Sequence, residues 1–257
     1  MPNRKISAVI ITFNEADKIE RCINSIYNVV DEIIVVDSNS NDNTIEICKK
    51  FDNVKVFVRD WEGYSNAKNF GNMQASNDWI LSIDADEAFS SELAESLAWE
   101  KNNTDKEFLK INRLPNYCGQ WIKHCGWYPD VHLRLFNRRI AEWKGSVHEK
   151  LVFNSPVASI PVLQGDCFHY TTSNIEDHIN KVNKYSSLYA QSKVEKGKKG
   201  SVLKLIVVPL WKFIQIYFFK LGFLDGFNGF IISMMGGYSK FLRYSKIIQL
   251  NKKLNQK

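Results

Sequence analysis

Two aspartates one residue apart, Asp84 and Asp86, follow the apolar run 79–83 in this 257-residue chain. Carboxylates at that spacing, just past a buried strand, can both address one hard cation through oxygen. Two further apolar runs also end in acids, 7–12 in Thr12-Phe13-Asn14-Glu15 and 32–36 in Asp37-Ser38. Open parallel sheets bind ligands beyond the C-terminal ends of their strands. Three strand ends thus bring carboxylates to one edge. Any one of them also reads as a helix cap or turn acid; the three together do not. No G-x-G-x-x-G follows the first run, and no G-x-x-x-x-G-K-[ST] occurs anywhere. Dinucleotide redox chemistry and P-loop phosphoryl transfer are therefore disfavoured. A nucleotide bound without a glycine-rich loop needs another way to neutralise its diphosphate, and a metal on Asp86 supplies one.

The elements that must position these residues alternate as βαβα over residues 1–90. Buried strands are expected at 7–12, 32–37, 54–58 and 79–84, with helices near 45–51 and 64–75. Asn14 is expected to cap the first helix, with Asp17 in the capping-box position. Ile19, Cys22, Ile23, Ile26 and Tyr27 fall on one face of that helix. Strands alternating with helices imply a mostly parallel, Rossmann-like α/β sheet. After Glu87 the rhythm breaks. A helix capped by Ser90 or Ser91 is expected over 90–99, short strands at 108–113, 131–137 and 157–163, and a helix from Asn174 to Glu195. Gly197 and Gly200 mark a hinge. This divides the chain into residues 1–195, with a nucleotide half (1–90) and an acceptor half (91–195), and a C-terminal helical part, 196–257.

That last part carries twelve Lys or Arg against one acid, Asp225, although the whole chain is only +6. Its basic residues interleave with long apolar runs, which points to an anionic membrane surface rather than nucleic acid. The runs 202–219 and 221–238 are interrupted by Lys204, Pro209, Lys212, Gln215, Asp225 and Asn228, so amphipathic helices lying in a membrane interface are expected rather than spans. Packing on the catalytic core, or a homodimer contact, is the alternative. Five scattered cysteines argue for reduced thiols, and Cys118, Cys125, His124 and His132 fit no common zinc spacing. The N-terminus reads without a secretory signal. A cytoplasmic protein, peripheral at the inner face of the cytoplasmic membrane, is expected.

The segments VIITFNE (9–15), IIVVDSNSNDNT (33–44), AKNFG (67–71) and WILSIDADE (79–87) resemble glycosyltransferase family 2, of the GT-A fold. WKGSVHE (143–149), HLRLFNRR (132–139), FHY (168–170) and LGFLDGFNG (221–229) are similar to a bacterial branch that includes lipopolysaccharide core glucosyltransferases. The resemblance implies that Thr12, Asn14 and Glu15 line the nucleotide pocket and that Asp37 bonds the base or ribose. Lys68 would sit by the nucleotide where many relatives have arginine, a point charge replacing a fork. Asp84 would contact the ribose or the water shell of the metal, and Asp86 would bind Mn²⁺ or Mg²⁺ directly. The donor so implied is a nucleotide diphosphate sugar, UDP-glucose for preference, and the acceptor a saccharide or glycolipid. Polyprenyl phosphate and protein are alternative acceptors.

An inverting transfer also needs a base for the acceptor proton. Glu149 is the first candidate and His148 the second; a solvated Glu149 paired with Lys150 is the bland reading, and Asp130 a distant rival. His169 is a candidate metal ligand or diphosphate contact, against an ordinary core histidine. Arg134 and Arg138 are candidates to grip the diphosphate or an anionic acceptor, against surface ion pairing. Two other classes remain: a nucleotidyltransferase, which usually opens with a glycine-rich loop absent here, and a non-catalytic, membrane-associated glycan-binding protein.

Overall fold

A computed structural model of the chain describes residues 4–103, 106–145, 149–153 and 159–254. It divides into two compact units, Met1–Arg113 with Asp130–His169, and Leu114–Pro129 with Tyr170–Lys257.

The first unit starts with β1 (Ile6–Thr12), α1 (Ile19–Ile26), β2 (Glu32–Asp37), α2 (Thr44–Cys48), β3 (Val54–Val58), α3 (Tyr64–Gln74) and β4 (Trp79–Asp84). Along the chain then come β5 (Glu87–Phe89), α4 (Ser91–Asn103), β6 (Phe108–Tyr117), β7 (Gln120–Trp121), β8 (Asp130–Asn137), β9 (Ala141–Lys144), β10 (Lys150–Phe153) and β11 (Val162–Thr172); β7 and the last residues of β6 and β11 count with the second unit. The main sheet runs β3-β2-β1-β4-β8-β6-β11-β5. The first four strands pair in parallel; β8 joins β4, β6 joins β8 and β5 joins β11 antiparallel. A parallel nucleotide half extended by an antiparallel half is the GT-A arrangement that the resemblance implies.

Strand alternation separates two apolar layers. Ile6, Ala8, Ile10, Ile33, Val35, Leu81 and Ile83 meet α1 and α4 on one face. Val9, Ile34, Val36 and Ile80 meet α3, Phe136 and Trp143 on the other. Each fully buried aliphatic side chain contributes roughly 1.5–3 kcal/mol. Gly71 lets α3 lie close on that second face, because a Cβ there would stand 2.4 Å from Val9 Cγ1. All four parallel strands fall where the apolar runs place them.

Two local expectations differ, and one is narrowed. Asn14 does not cap α1, which starts at Ile19 after Lys18; it takes a left-handed φ of 54°, a conformation asparagine tolerates. Of the two candidate caps for α4, the Ser90 hydroxyl accepts from Leu93 N. The late strand starts at Val162 rather than 157 and runs to Thr172; residues 154–158 lie outside the described ones.

The second unit holds α5 (Ile175–Glu195), α6 (Val202–Ile214) and α7 (Gly226–Leu254). Asn174 caps α5 by accepting from Asp177 N, as expected. The expected boundary at 195/196 differs from the division found, because α5 packs along α7 and belongs with the C-terminal helices. A π-helical turn, Gln215–Phe219, continues α6. The resulting helix, Val202–Phe219, is long and apolar enough to cross a membrane, with mean hydropathy 1.7.

Candidate active site

β4 stops at Asp84 and β5 starts at Glu87, so a two-residue turn carries Asp86 at the edge of the sheet. Asp84 is anchored from two sides. Its Oδ2 accepts from Arg134 Nη2 at 2.7 Å, and its Oδ1 lies 3.4 Å from Lys68 Nζ. Burial works against the charged carboxyl, but the Arg134 guanidinium and Lys68 ammonium outweigh it and hold Asp84 well below the usual carboxylate range.

Lys68 is buried on α3, with 4% of its surface exposed. Its Nζ also donates to Glu149 Oε1 at 3.0 Å and stands 4.7 Å from the centre of the Trp143 ring. Glu149 is thus fixed by a partner 81 positions earlier in the sequence, not by Lys150.

Arg134 and Glu87 form a buried centre. Glu87 Oε1 accepts from Arg134 Nη2 at 2.6 Å and Arg113 Nη1 at 3.1 Å; Oε2 accepts from Asp84 N at 3.0 Å. Burial alone would lower the Arg134 pKa, but Asp84 and Glu87 outweigh it and raise it. Arg113 continues to Asp130, with Nη2 to Oδ2 2.6 Å, and His132 Nε2 lies 2.7 Å from Asp130 Oδ1. Burial raises the Asp130 carboxyl, yet His132 and Arg113 outweigh it and hold it down to about 2.

Glu87 is 1% exposed, so Glu87→Gln keeps the shape but removes the buried charge shared by two guanidinium groups. Removing one partner of a buried pair costs about 3–5 kcal/mol. Denaturant unfolding of that variant is expected to show a loss of that size; a loss under about 1 kcal/mol would mean that water screens the pair.

Asp86 and His169 come together because β5 pairs antiparallel with β11, setting His169 opposite Glu87. Asp86 Oδ2 and His169 Nε2 are 3.4 Å apart, with side chains 25% and 20% exposed. Donor atoms of two adjacent ligands around an octahedral ion with bonds of about 2.1 Å lie about 3 Å apart, so the pair fits an ion shared between them. A carboxylate with an imidazole favours Mn²⁺ over Mg²⁺, whose ligands are oxygen. Among the described residues no group of three or more His, Cys, Asp or Glu side chains forms a metal cage. Two such ligands would leave room for phosphate oxygens on an ion held there. Asp84 is held by Arg134 and Lys68.

The first strand end builds the neighbouring wall. Asn14 N donates to Ser40 Oγ, Asn41 N donates to Asn14 Oδ1 and Glu15 N donates to Thr44 Oγ1. Glu15 also pairs with Lys18 at 2.8 Å. Thr12 is buried, its hydroxyl without a partner among the described residues. Asp37 is fully buried and receives both the amide and the hydroxyl of Ser40, which shapes the loop after β2.

Arg138 does not share the site. It donates to the Asn72 and Ala75 carbonyls at the end of α3 and to Asp78, where it satisfies helix C-terminal carbonyls. His148 lies outside the described residues. Arg113 and the central role of Glu87 escape sequence reasoning; the signal was an arginine within β6, following the apolar Leu109 and Ile111.

The family model "Glycosyl transferase family 2" matches residues 7–143. An uncharacterized glycosyltransferase of Rickettsia typhi is 36% identical, over 97% of this chain and 89% of its own length. The lipopolysaccharide core biosynthesis glycosyltransferase LpsC of Rhizobium meliloti is 32% identical, over 97% of this chain and 94% of its own. Among solved structures, S. aureus TarS 1-349 in complex with UDP-GlcNAc aligns at 14% identity over 98% of this chain and 92% of that one, with a TM-score of 0.47.

Proposed function

Since the chain belongs to glycosyltransferase family 2, we propose that it is an inverting hexosyltransferase taking glucose from UDP-glucose to a lipopolysaccharide-core type of acceptor. The observation that carries this reading is one connected edge: Glu149 on Lys68, Lys68 on Asp84, and the Asp86–His169 pair two residues on.

Asp86 and His169 would hold the divalent ion, and Asp84, clamped by Arg134, keeps the turn that carries Asp86 in place. When bound, the ion neutralises the diphosphate as charge develops on it. Lys68 adds a fixed positive charge that needs no reorganisation. Glu149 accepts the proton of the acceptor hydroxyl as its oxygen bonds to the anomeric carbon. The carbon–phosphate oxygen bond breaks on the opposite face, its electron pair leaving with UDP.

LpsC, matched over nearly its whole length, supports a saccharide or lipid-linked saccharide acceptor in cell-envelope synthesis. The exposed apolar helix Val202–Phe219 supports work at the inner face of the cytoplasmic membrane.

A thermal-shift screen of UDP-, GDP- and CMP-sugars, with and without Mn²⁺, tests this. UDP-glucose with Mn²⁺ is expected to raise the melting temperature in proportion to ln(1 + [L]/Kd). A larger shift with another sugar nucleotide would replace the donor; no shift with any would overturn the reading.

A further inference from the structure

Lys212, Lys240 and Arg243 converge along the seam between α6 and α7. The helices nearly touch there: a Cβ on Gly236 would stand 2.4 Å from Ile216 Cδ1 and 3.9 Å from Lys212 Cγ, and one on Gly237 3.0 Å from the Pro209 carbonyl oxygen. Lys240 stands one turn beyond Gly236. Arg243 follows, its guanidinium 4.6 Å from the centre of the Tyr189 ring on α5. All three are half-buried.

None forms an ion pair among the described residues. Lys212 donates to the neutral Gln215 oxygen at 3.0 Å, and the Arg243 Nε is buried without a hydrogen-bond partner. Asp225, the sole acid between Lys196 and Lys257, is taken by the His124 ring and the Lys123 and His124 amides. Burial first, then repulsion from Lys220 and Arg243, lowers the Lys212 pKa; burial, then Arg243 and Lys212, lowers that of Lys240. Like charges drawn into an apolar seam are costly unless an anion completes them.

Beside the seam, Leu203, Leu210, Phe218, Phe219 and Phe227 are each at least 55% exposed. A second copy would set the same positive excess against itself. Nucleic acid offers phosphates but nowhere to bury the phenylalanines. A bilayer with anionic headgroups matches both features.

We propose that the α6–α7 seam seats the phosphate of an anionic bilayer lipid, with Lys212, Lys240 and Arg243 as its donors and the adjoining apolar face in the acyl boundary. This rests on the reading that these helices meet a membrane, and is independent of the donor chemistry.

The test is co-sedimentation of the full chain with phosphatidylcholine vesicles, with and without phosphatidylglycerol. Phosphatidylglycerol is expected to tighten binding. K212Q/K240Q/R243Q is expected to lose on the order of 100-fold of that affinity, falling to the neutral-vesicle level. K196Q/K198Q/K199Q removes the same charge from exposed positions and is expected to lose much less. K212R/K240R, which keeps the charge, is expected to bind like the wild type. Equal wild-type binding to both vesicles would overturn the seat and leave the membrane reading standing, a result that needs no folded variant. Equal losses in the two triple variants would also overturn it. Binding to neither vesicle would remove both, as would a dimer that K212Q/K240Q/R243Q dissociates.

Discussion

Isothermal titration of the Asp86→Ala variant with UDP and Mn²⁺ is expected to show no metal-dependent binding. The side chain stands on a two-residue turn between β4 and β5, and among the described residues its ion-pair partner is His169, at 3.4 Å. Alanine there removes one of the two proposed protein donors, the negative one of the pair. Losing even an outer partner of a metal ligand typically costs 10–100-fold in affinity, so losing the carboxylate is expected to cost at least about 100-fold. His169→Ala, which leaves the charge in place, is expected to fall within that 10–100-fold range. Asp86 is partly exposed and anchors nothing in the core, so the folded state should be kept. Wild-type affinity in Asp86→Ala would take the metal away from this turn.

Glu149→Gln is expected to leave the Kd for UDP-glucose within about threefold of the wild type while turnover drops about 10²–10⁴-fold, the usual contribution of a positioned general base. The amide keeps the size of the side chain and can still accept from Lys68 through its oxygen, so the loss would report the missing proton acceptor. Single-turnover kinetics with saturating donor separates the two effects. A variant that turns over normally would pass the role to His148; one that loses donor binding as well would mean that Glu149 serves mainly to place Lys68.

The parallel half of the fold was legible because β1, β2, β3 and β4 are apolar runs of strand length bounded by polar turns. The aspartates after β4 stood out for the same reason: a charge ending a buried strand has few places to be except the edge. What could not be read is everything decided by long-range pairing. Lys68 and Glu149 are 81 positions apart and meet only once α3 has packed beneath Trp143. His169 reaches Asp86 through the β5–β11 register, and β5 is three residues long, too short to show periodicity. Arg138 looked equivalent to Arg134. Because β8 runs antiparallel to β4, with Asn137 opposite Trp79, residues past Asn137 emerge at the end of the sheet away from the chemistry. Asn14 misled for another reason: its side chain suits a cap, but its left-handed backbone makes it a corner that ties two loops together.

From Glu149 through Lys68, Asp84, Arg134, Glu87 and Arg113 to Asp130 the signs alternate without a break. Each inner member is shared by an opposite charge on either side, so changing one alone leaves two neighbours in deficit. Changing adjacent members together, such as Arg113 with Asp130 at the outer end, removes a plus and a minus at once and should cost less than the two single losses added. Descent along this row would then proceed by matched couples, with the intermediate single steps the ones a lineage fails to survive.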